Sequence, residues 1–365
     1  MIETLTLTDF RNHSSSRIKT GGARNIVIIG DNGSGKTAIL EAVSMFAGNG
    51  SLRGATTIEI ARDNGSGGFA ISAELSDGTA LSVTWKAGDA HRRARIDNDA
   101  APLSDLARHL RLVWLTPRED RLFVDGAADR RAFFDRLCAS FDATHSGRCA
   151  RLAKLLAERA YALKNGSDDN WLNPIEKHLA ATAVAVASLR VKYSGEINHE
   201  LSKDENNDSS LITLSGWLED RLSKGAAASD VEKEYLDYLA NNRELIADKM
   251  NIDGAHKSDF GMFNSALNKP ANMTSTGQQK LMLLSLMCAH ARLIKTKTGT
   301  APIILLDEVA AHLDKSARAR LFAEFKNLDA QVWATGLDKG TFVSVSDALF
   351  ITCANGTIQS IAFSP

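Results

Sequence analysis

Gly30-Asp31-Asn32-Gly33-Ser34-Gly35-Lys36-Thr37 follows the β-branched run Asn25 to Ile29 and opens a helically spaced segment from Lys36 to Ala47. The octet fits GxxxxGK[ST], and its place between strand and helix predicts a phosphate-binding loop rather than an ordinary glycine turn. Glycines let the backbone fold tightly, so that successive N–H groups converge on phosphate oxygens. The following helix adds the positive end of its dipole. On this reading Gly30, Asn32, Gly33, Ser34 and Gly35 wrap the phosphates and Lys36 reaches the β and γ groups. The Thr37 hydroxyl ligates Mg²⁺, so Mg²⁺ with a nucleoside triphosphate is expected.

Such a loop serves kinases, GTPases and motors alike, and a second stretch narrows the field. Ile303-Ile304-Leu305-Leu306-Asp307-Glu308 is a short apolar strand ending in two acids. Asp307 is placed to hold the metal, and Glu308 to orient or deprotonate a water attacking the γ-phosphate. A third stretch, Ser275-Thr276-Gly277-Gln278-Gln279-Lys280, opens an apolar helix about 30 residues earlier. It resembles the signature of ABC ATPases, in which a serine and backbone amides bind the γ-phosphate of a partner copy, in trans. Ser275, Gly277 and Gln278 are the candidates for that role. A serine with a glutamine three positions on also fits a plain helix capping box.

The rest of the pattern splits the chain. Leu5 and Leu7 alternate with Thr4, Thr6 and Thr8 in a half-buried strand ending at Phe10, and Phe69–Leu75 with Thr79–Trp85 flank a tight turn as a hairpin. Leu112–Leu115 is a further strand. Residues 129–164 and 174–200 have helical spacing, and another helix is expected from Val231 to Met250. Strands return at Ile303–Leu306, Val332–Thr335, Leu349–Cys353 and Thr357–Phe363. The predicted fold class is α/β: a head of mixed β-sheet around the loop helix, residues 1–120 and 270–365. A helical arm or lid, residues 121–269, is inserted in it.

A chain of 365 residues can bury two cores. No run of about 18 uncharged apolar residues occurs, so no membrane-spanning helix is expected. The opening residues lack a basic stretch followed by an apolar block, so no export signal is expected either. Cys138, Cys149, Cys288 and Cys353 are scattered without zinc-site spacing, which predicts reduced thiols in a cytoplasmic protein. Net charge is −1, but Lys86–Lys164 holds 16 Lys/Arg against 11 Asp/Glu, and Glu196–Asp259 holds 7 against 15. A basic middle permits a local nucleic-acid face, with Arg92, Arg93 and Arg95 as its densest cluster.

Over nearly its whole length the chain resembles the RecF family of bacterial repair ATPases. The resemblance rests on Leu5-Thr6-Leu7-Thr8-Asp9-Phe10-Arg11-Asn12 and on Leu40-Glu41-Ala42 after the phosphate loop. It is most specific in Trp114-Leu115-Thr116-Pro117, Asp120-Arg121-Leu122-Phe123, Gly126, Arg130-Arg131 and Phe134-Asp135-Arg136. His256-Lys257-Ser258-Asp259-Phe260, His312-Leu313-Asp314 and the switch-like Thr335-Gly336-Leu337-Asp338 complete it. Thr276 stands where the family signature has glycine, and Lys257 where arginine is more usual.

The resemblance implies a weak, dimer-dependent ATPase of the ABC-head kind that clamps double-stranded DNA and single-strand/double-strand junctions. It implies work with RecR, indirectly RecO and RecA, at single-strand gaps, with hydrolysis releasing the DNA. It implies that the nucleotide is ATP, and adds Arg11 and Asp338 to the candidate nucleotide contacts. The alternatives are another SMC-like or ABC-type ATPase not acting on gaps, a transporter subunit, or a scaffold with a dead nucleotide site. About 240 residues separate the phosphate loop from the signature, without sustained heptads, which is short for an SMC coiled coil.

Overall fold

The structure is a computed structural model and describes residues 1–48, 51–203, 210–243, 252–308 and 313–364. The strands in chain order are β1 (Ile2–Phe10), β2 (His13–Lys19), β3 (Asn25–Ile29), β4 (Gly68–Leu75), β5 (Ala80–Lys86), β6 (Arg93–Ile96), β7 (Asp99–Ala101), β8 (Leu112–Leu115), β9 (Ser210–Ser215), β10 (Asp259–Asn264), β11 (Lys269–Pro270), β12 (Ile303–Leu306), β13 (Val332–Gly336), β14 (Ala348–Ala354) and β15 (Thr357–Ser364). The helices are α1 (Lys36–Ser44), α2 (Thr57–Ile60), α3 (Leu103–His109), α4 (Ala127–Phe141), α5 (His145–Lys164), α6 (Asp169–Ser202), α7 (Trp217–Ser223), α8 (Ala228–Asn241), α9 (Thr276–Thr298) and α10 (Lys315–Asn327). The chain divides into two compact units, Met1–Asp120 with Ile294–Pro365, and Arg121–Leu293.

The first unit carries two six-stranded sheets, ordered β2-β1-β4-β5-β6-β7 and β15-β14-β3-β13-β12-β8. In the second of these β3, β8, β12, β13 and β14 run parallel, and β15 closes it antiparallel to β14. Every residue of α1 except Thr37 is buried. One cluster joins Ile39, Leu40 and Val43 of that helix to Leu5, Ile71 and Val83 of the antiparallel sheet and to Leu305, Trp333 and Ile351 of the parallel one. Each such buried aliphatic side chain contributes about 1.5–3 kcal/mol. The loop helix is therefore held by apolar packing, and the phosphate loop at its N-terminus inherits that rigidity.

The second unit is not wholly helical as expected. Beside α4 to α8 it holds a three-stranded antiparallel sheet, β11-β10-β9. The strands Ser-Leu-Ile-Thr-Leu-Ser and Asp-Phe-Gly-Met-Phe-Asn are six residues each, too short for a period-2 pattern to stand out. The predicted helix 129–164 is two helices, because Asp142 leaves helical geometry and caps Thr144 instead. The expected helix Val231–Met250 is helical over Ala228–Asn241, and its last residues lie outside the described ones.

The unit boundary falls inside α9, at Leu293/Ile294, and not at residue 270. His290 of that helix explains the grouping. Ser140 Oγ donates to the Leu137 carbonyl at 2.7 Å, so it must accept the Nε2–H of His290, also at 2.7 Å. That leaves Nδ1 to accept from the Tyr193 hydroxyl at 2.7 Å. Burial holds this neutral imidazole down at about 3.

Nearby, two stretches that carry the resemblance meet. Arg130 grips Asp259 through two bonds of 2.8 Å, Arg131 donates to the Ser258 carbonyl at 2.9 Å, and Phe134 stacks on Phe260 at 4.7 Å. A separate cluster gathers Leu155, Leu179, Val186, Val231 and Tyr235 as the core of the helices.

Candidate nucleotide site

The phosphate loop is clasped from two sides. From the β1–β2 turn, Asn12 Nδ2 donates to the Gly33 carbonyl at 3.2 Å and His13 Nε2 to the Gly35 carbonyl at 3.1 Å. A carbonyl only accepts, so His13 carries its proton on Nε2 and accepts the Ser16 hydroxyl, 2.8 Å away, on Nδ1. From the β14–β15 turn, the Gly356 N–H donates to the Ser34 carbonyl at 2.9 Å. The approach is close enough to require glycine. A Cβ on Gly30 would lie 2.2 Å from the Cys353 carbonyl oxygen, and one on Gly35 2.6 Å from His13 Nε2. Both residues have positive φ, 149° and 108°.

Lys36 is 4% exposed and its ammonium donates to the carbonyls of Gly30 and Asp31 at 2.6 and 2.9 Å. Thr37 Oγ1 donates to Asp307 Oδ1 at 2.9 Å, so the start of α1 and the end of β12 meet on one carboxylate. Burial pushes the Asp307 carboxyl up, the hydroxyls of Thr335 and Thr37 pull it back, and Glu308 and Arg53 oppose each other as nearby charges. A hydroxyl and a carboxylate are hard oxygen donors suited to Mg²⁺, which would keep this buried group ionised. The residues present therefore fit the expected ion.

Glu308 sits in left-handed backbone, φ 56°, and its N–H donates to Thr335 Oγ1 at 2.8 Å. Thr335 in turn donates to Asp307 Oδ1 at 2.8 Å. The sequence marks Thr335 as the end of a strand and the start of a switch segment, without a role at the metal site. The signal available was its position one residue beyond the β12–β13 register pair Leu306–Ala334, level with Asp307. Asp338 is exposed and caps its own turn, accepting from the Thr341 N–H at 3.0 Å.

Arg11 braces the start of the fold. Its Nε and Nη2 pair with both oxygens of the fully buried Glu41 at 2.7 Å, and Nη1 donates to the Glu59 carbonyl at 2.6 Å. Pairing with Glu41 raises the guanidinium further above its ordinary range.

In the second unit, the Ser275 N–H donates to Gln278 Oε1 at 3.0 Å and the Gln278 N–H to Ser275 Oγ at 3.3 Å, a reciprocal capping box. Ser275, Thr276 and Gly277 are exposed there. Val309 to His312, which open the expected D-loop, lie outside the described residues.

The solvent face of the antiparallel sheet carries a registered row, Arg17–Thr6–Ser72–Ser82–Arg95. Arg93 and Arg95 share that exposed face of β6, with Arg93 paired to Asp89 at 2.7 Å. Arg92 turns the other way, half-buried against the Met45 sulfur.

Residues 1–359 match the family described as RecF/RecN/SMC N terminal domain. A protein of Allorhizobium ampelinum named DNA replication and repair protein RecF is 38% identical over 371 residues, covering 98% of each chain. The protein of that name from Mesorhizobium japonicum is 39% identical over 371 residues, 98% of this chain and 97% of its own. A structure described as the recombination mediator protein RecF-ATPrS in the RecFOR pathway superposes with a TM-score of 0.84 at 18% identity, covering 99% of this chain and 98% of that one. An Smc head bound to the C-winged helix domain of ScpA gives 0.57 at 13% identity, over 99% and 97% of the two chains. At these identities the superpositions speak to fold.

Proposed function

The chain belongs to the RecF family, and from that premise we propose that it is an ATP-dependent DNA-binding protein of recombinational repair whose head dimerises around ATP. The observation that carries the reading is the convergence of Thr37, Asp307, Glu308 and Lys36 at one end of the parallel sheet. Each is the residue type that phosphoryl transfer needs at that place. Thr37 and Asp307 would hold Mg²⁺, which when bound neutralises charge on the β and γ phosphates. Lys36 leaves its two loop carbonyls for phosphate oxygens, and Glu308 orients the attacking water.

The trans half of the site falls to Ser275, Gly277 and Gln278 of a second copy. Their helix N-terminus and exposed backbone suit an anion, and Ser275 gives up a 3.3 Å cap contact to engage one. A single chain thus holds two half-sites, and hydrolysis requires dimerisation. Each closed dimer presents two copies of the Arg17–Arg95 sheet face to duplex DNA, so a chain of net charge −1 binds a polyanion locally. Bound at a single-strand gap, the dimer works with RecR and RecO to promote RecA loading, and hydrolysis opens it and releases the DNA. Arg11 supports α1, and Asp338 acts as a γ-phosphate sensor only if its cap on Thr341 opens. The setting is the cytoplasm; among the described residues no helix is long and apolar enough to cross a membrane.

Sedimentation of the purified protein with and without ATP, Mg²⁺ and a gapped duplex tests this directly. A shift from monomer to a DNA-bound dimer with ATP alone is expected. Persistence of the monomer under saturating ATP and DNA defeats the reading.

A further inference from the structure

Glu308 occupies a backbone region that residues bearing a Cβ seldom adopt, φ 56°. Such geometry persists only where neighbouring contacts hold it. The described contact on its backbone N–H is Thr335 Oγ1 at 2.8 Å. The same oxygen lies 2.8 Å from Asp307 Oδ1.

A hydroxyl has one proton and two lone pairs. The carboxylate can only accept and the amide can only donate, so the Thr335 proton goes to Asp307 and a lone pair takes the Glu308 N–H. Thr335 is 0% exposed, at the end of β13, where parallel pairing with β12 fixes its distance from both partners. Water does not compete for either bond at such a site.

Resting on the ATPase reading above, we propose that Thr335 is a positioning residue for hydrolysis, its single hydroxyl locking the Glu308 backbone in the left-handed form while it orients the Asp307 carboxylate. The direction of the Glu308 side chain follows from that backbone angle. Relaxation to negative φ would swing the Cα–Cβ bond away and leave ATP binding intact, because Lys36 and the loop amides are untouched. Thr37 keeps its own 2.9 Å bond to Asp307, so the carboxylate stays in place and Thr335 governs turnover more than affinity.

Thr335→Val keeps the shape and removes the hydroxyl; Thr335→Ser keeps the hydroxyl. With thermal melts showing that each variant is folded, Thr335→Val should lower kcat at least ~10-fold with the KM for ATP changed less than about threefold. Thr335→Ser should stay within about threefold of the parent in both. Crystal structures of the two variants give a readout independent of turnover: Glu308 leaves positive φ in the valine variant and keeps it in the serine one. Turnover of Thr335→Val within about twofold of the parent, an equal loss in Thr335→Ser, or a loss confined to KM overturns the proposal. So does unchanged φ at residue 308 in the valine variant. If the parent protein hydrolyses no ATP, the ATPase reading fails instead, and the backbone angle still decides what Thr335 holds.

Discussion

Nε and Nη2 of Arg190 meet the two carboxylate oxygens of Asp135, each at 2.8 Å, inside the second unit. The same guanidinium reaches Glu219 at 3.1 Å and the Ala255 carbonyl at 2.6 Å, so one cation satisfies two acids and a backbone group from two helices and a loop. Burial works against the Asp135 charge, but His145 and Arg190 outweigh it and hold the carboxyl well below the usual range. Arg190→Ala leaves Asp135 and the buried Glu219 without their cation, and should cost about 3–5 kcal/mol of stability. Urea titration checks this; Arg190→Lys should recover only part, since an ammonium cannot make the fork-shaped contact.

Glu308→Gln removes the group that orients or deprotonates the attacking water while keeping its size. Turnover should fall at least ~100-fold, with ATP still bound and the dimer accumulating. Turnover assays beside light scattering on a sizing column report both. A variant that remains monomeric in saturating ATP and Mg²⁺ rules out the two-copy site.

Reversal of Arg93 and Arg95 together should weaken binding to duplex DNA regardless of sequence, because contacts to phosphates carry no base information. If both touch phosphates in each copy of the dimer, the slope of log K against log salt falls by about 4. Arg92→Ala should leave that slope unchanged, since its side chain packs on Met45. Equal slopes for the double reversal and the parent would move the interface elsewhere.

His290 predicts an acid limb in the stability profile. Its folded pKa, about 3, lies below the ordinary value for histidine. The unfolded chain therefore takes up a proton that the folded chain refuses, and stability is complete above about 6.5 and falls as pH drops towards 3. Between pH 7.5 and 4.5 this one group should remove about 2–3 kcal/mol. His290→Asn lacks that titration, so its stability gap to the parent should narrow by that amount in denaturant titrations at the two pH values. A gap independent of pH would count against it.

The parallel sheet was legible because buried strands such as Ile303–Leu306 are continuous apolar runs, and the phosphate loop because its glycines are demanded by backbone approach. The β9–β11 sheet was not, since Leu211, Thr213 and Ser215 alternate over too few residues to stand out. Asp307, Thr37 and Lys36 could be named because their chemistry is fixed by local spacing. The roles of Asn12, His13 and Gly356 could not, because they reach the loop through tertiary contacts spanning up to some 320 positions, and that of Thr335 could not, because it meets Asp307 only through the pairing of two strands. Arg11 shows the opposite limit: its motif was visible, but only the fold reveals that its guanidinium pairs with Glu41 of α1.

The strand that delivers the phosphate loop, β3, is flanked by β13 and β14, both drawn from residues 332–354. During synthesis the glycine-rich octet thus leaves the ribosome long before either neighbour exists. For most of its translation the polypeptide cannot engage nucleotide, and any product cut short before the final hairpin should be unable to recruit a second copy and interfere with intact molecules.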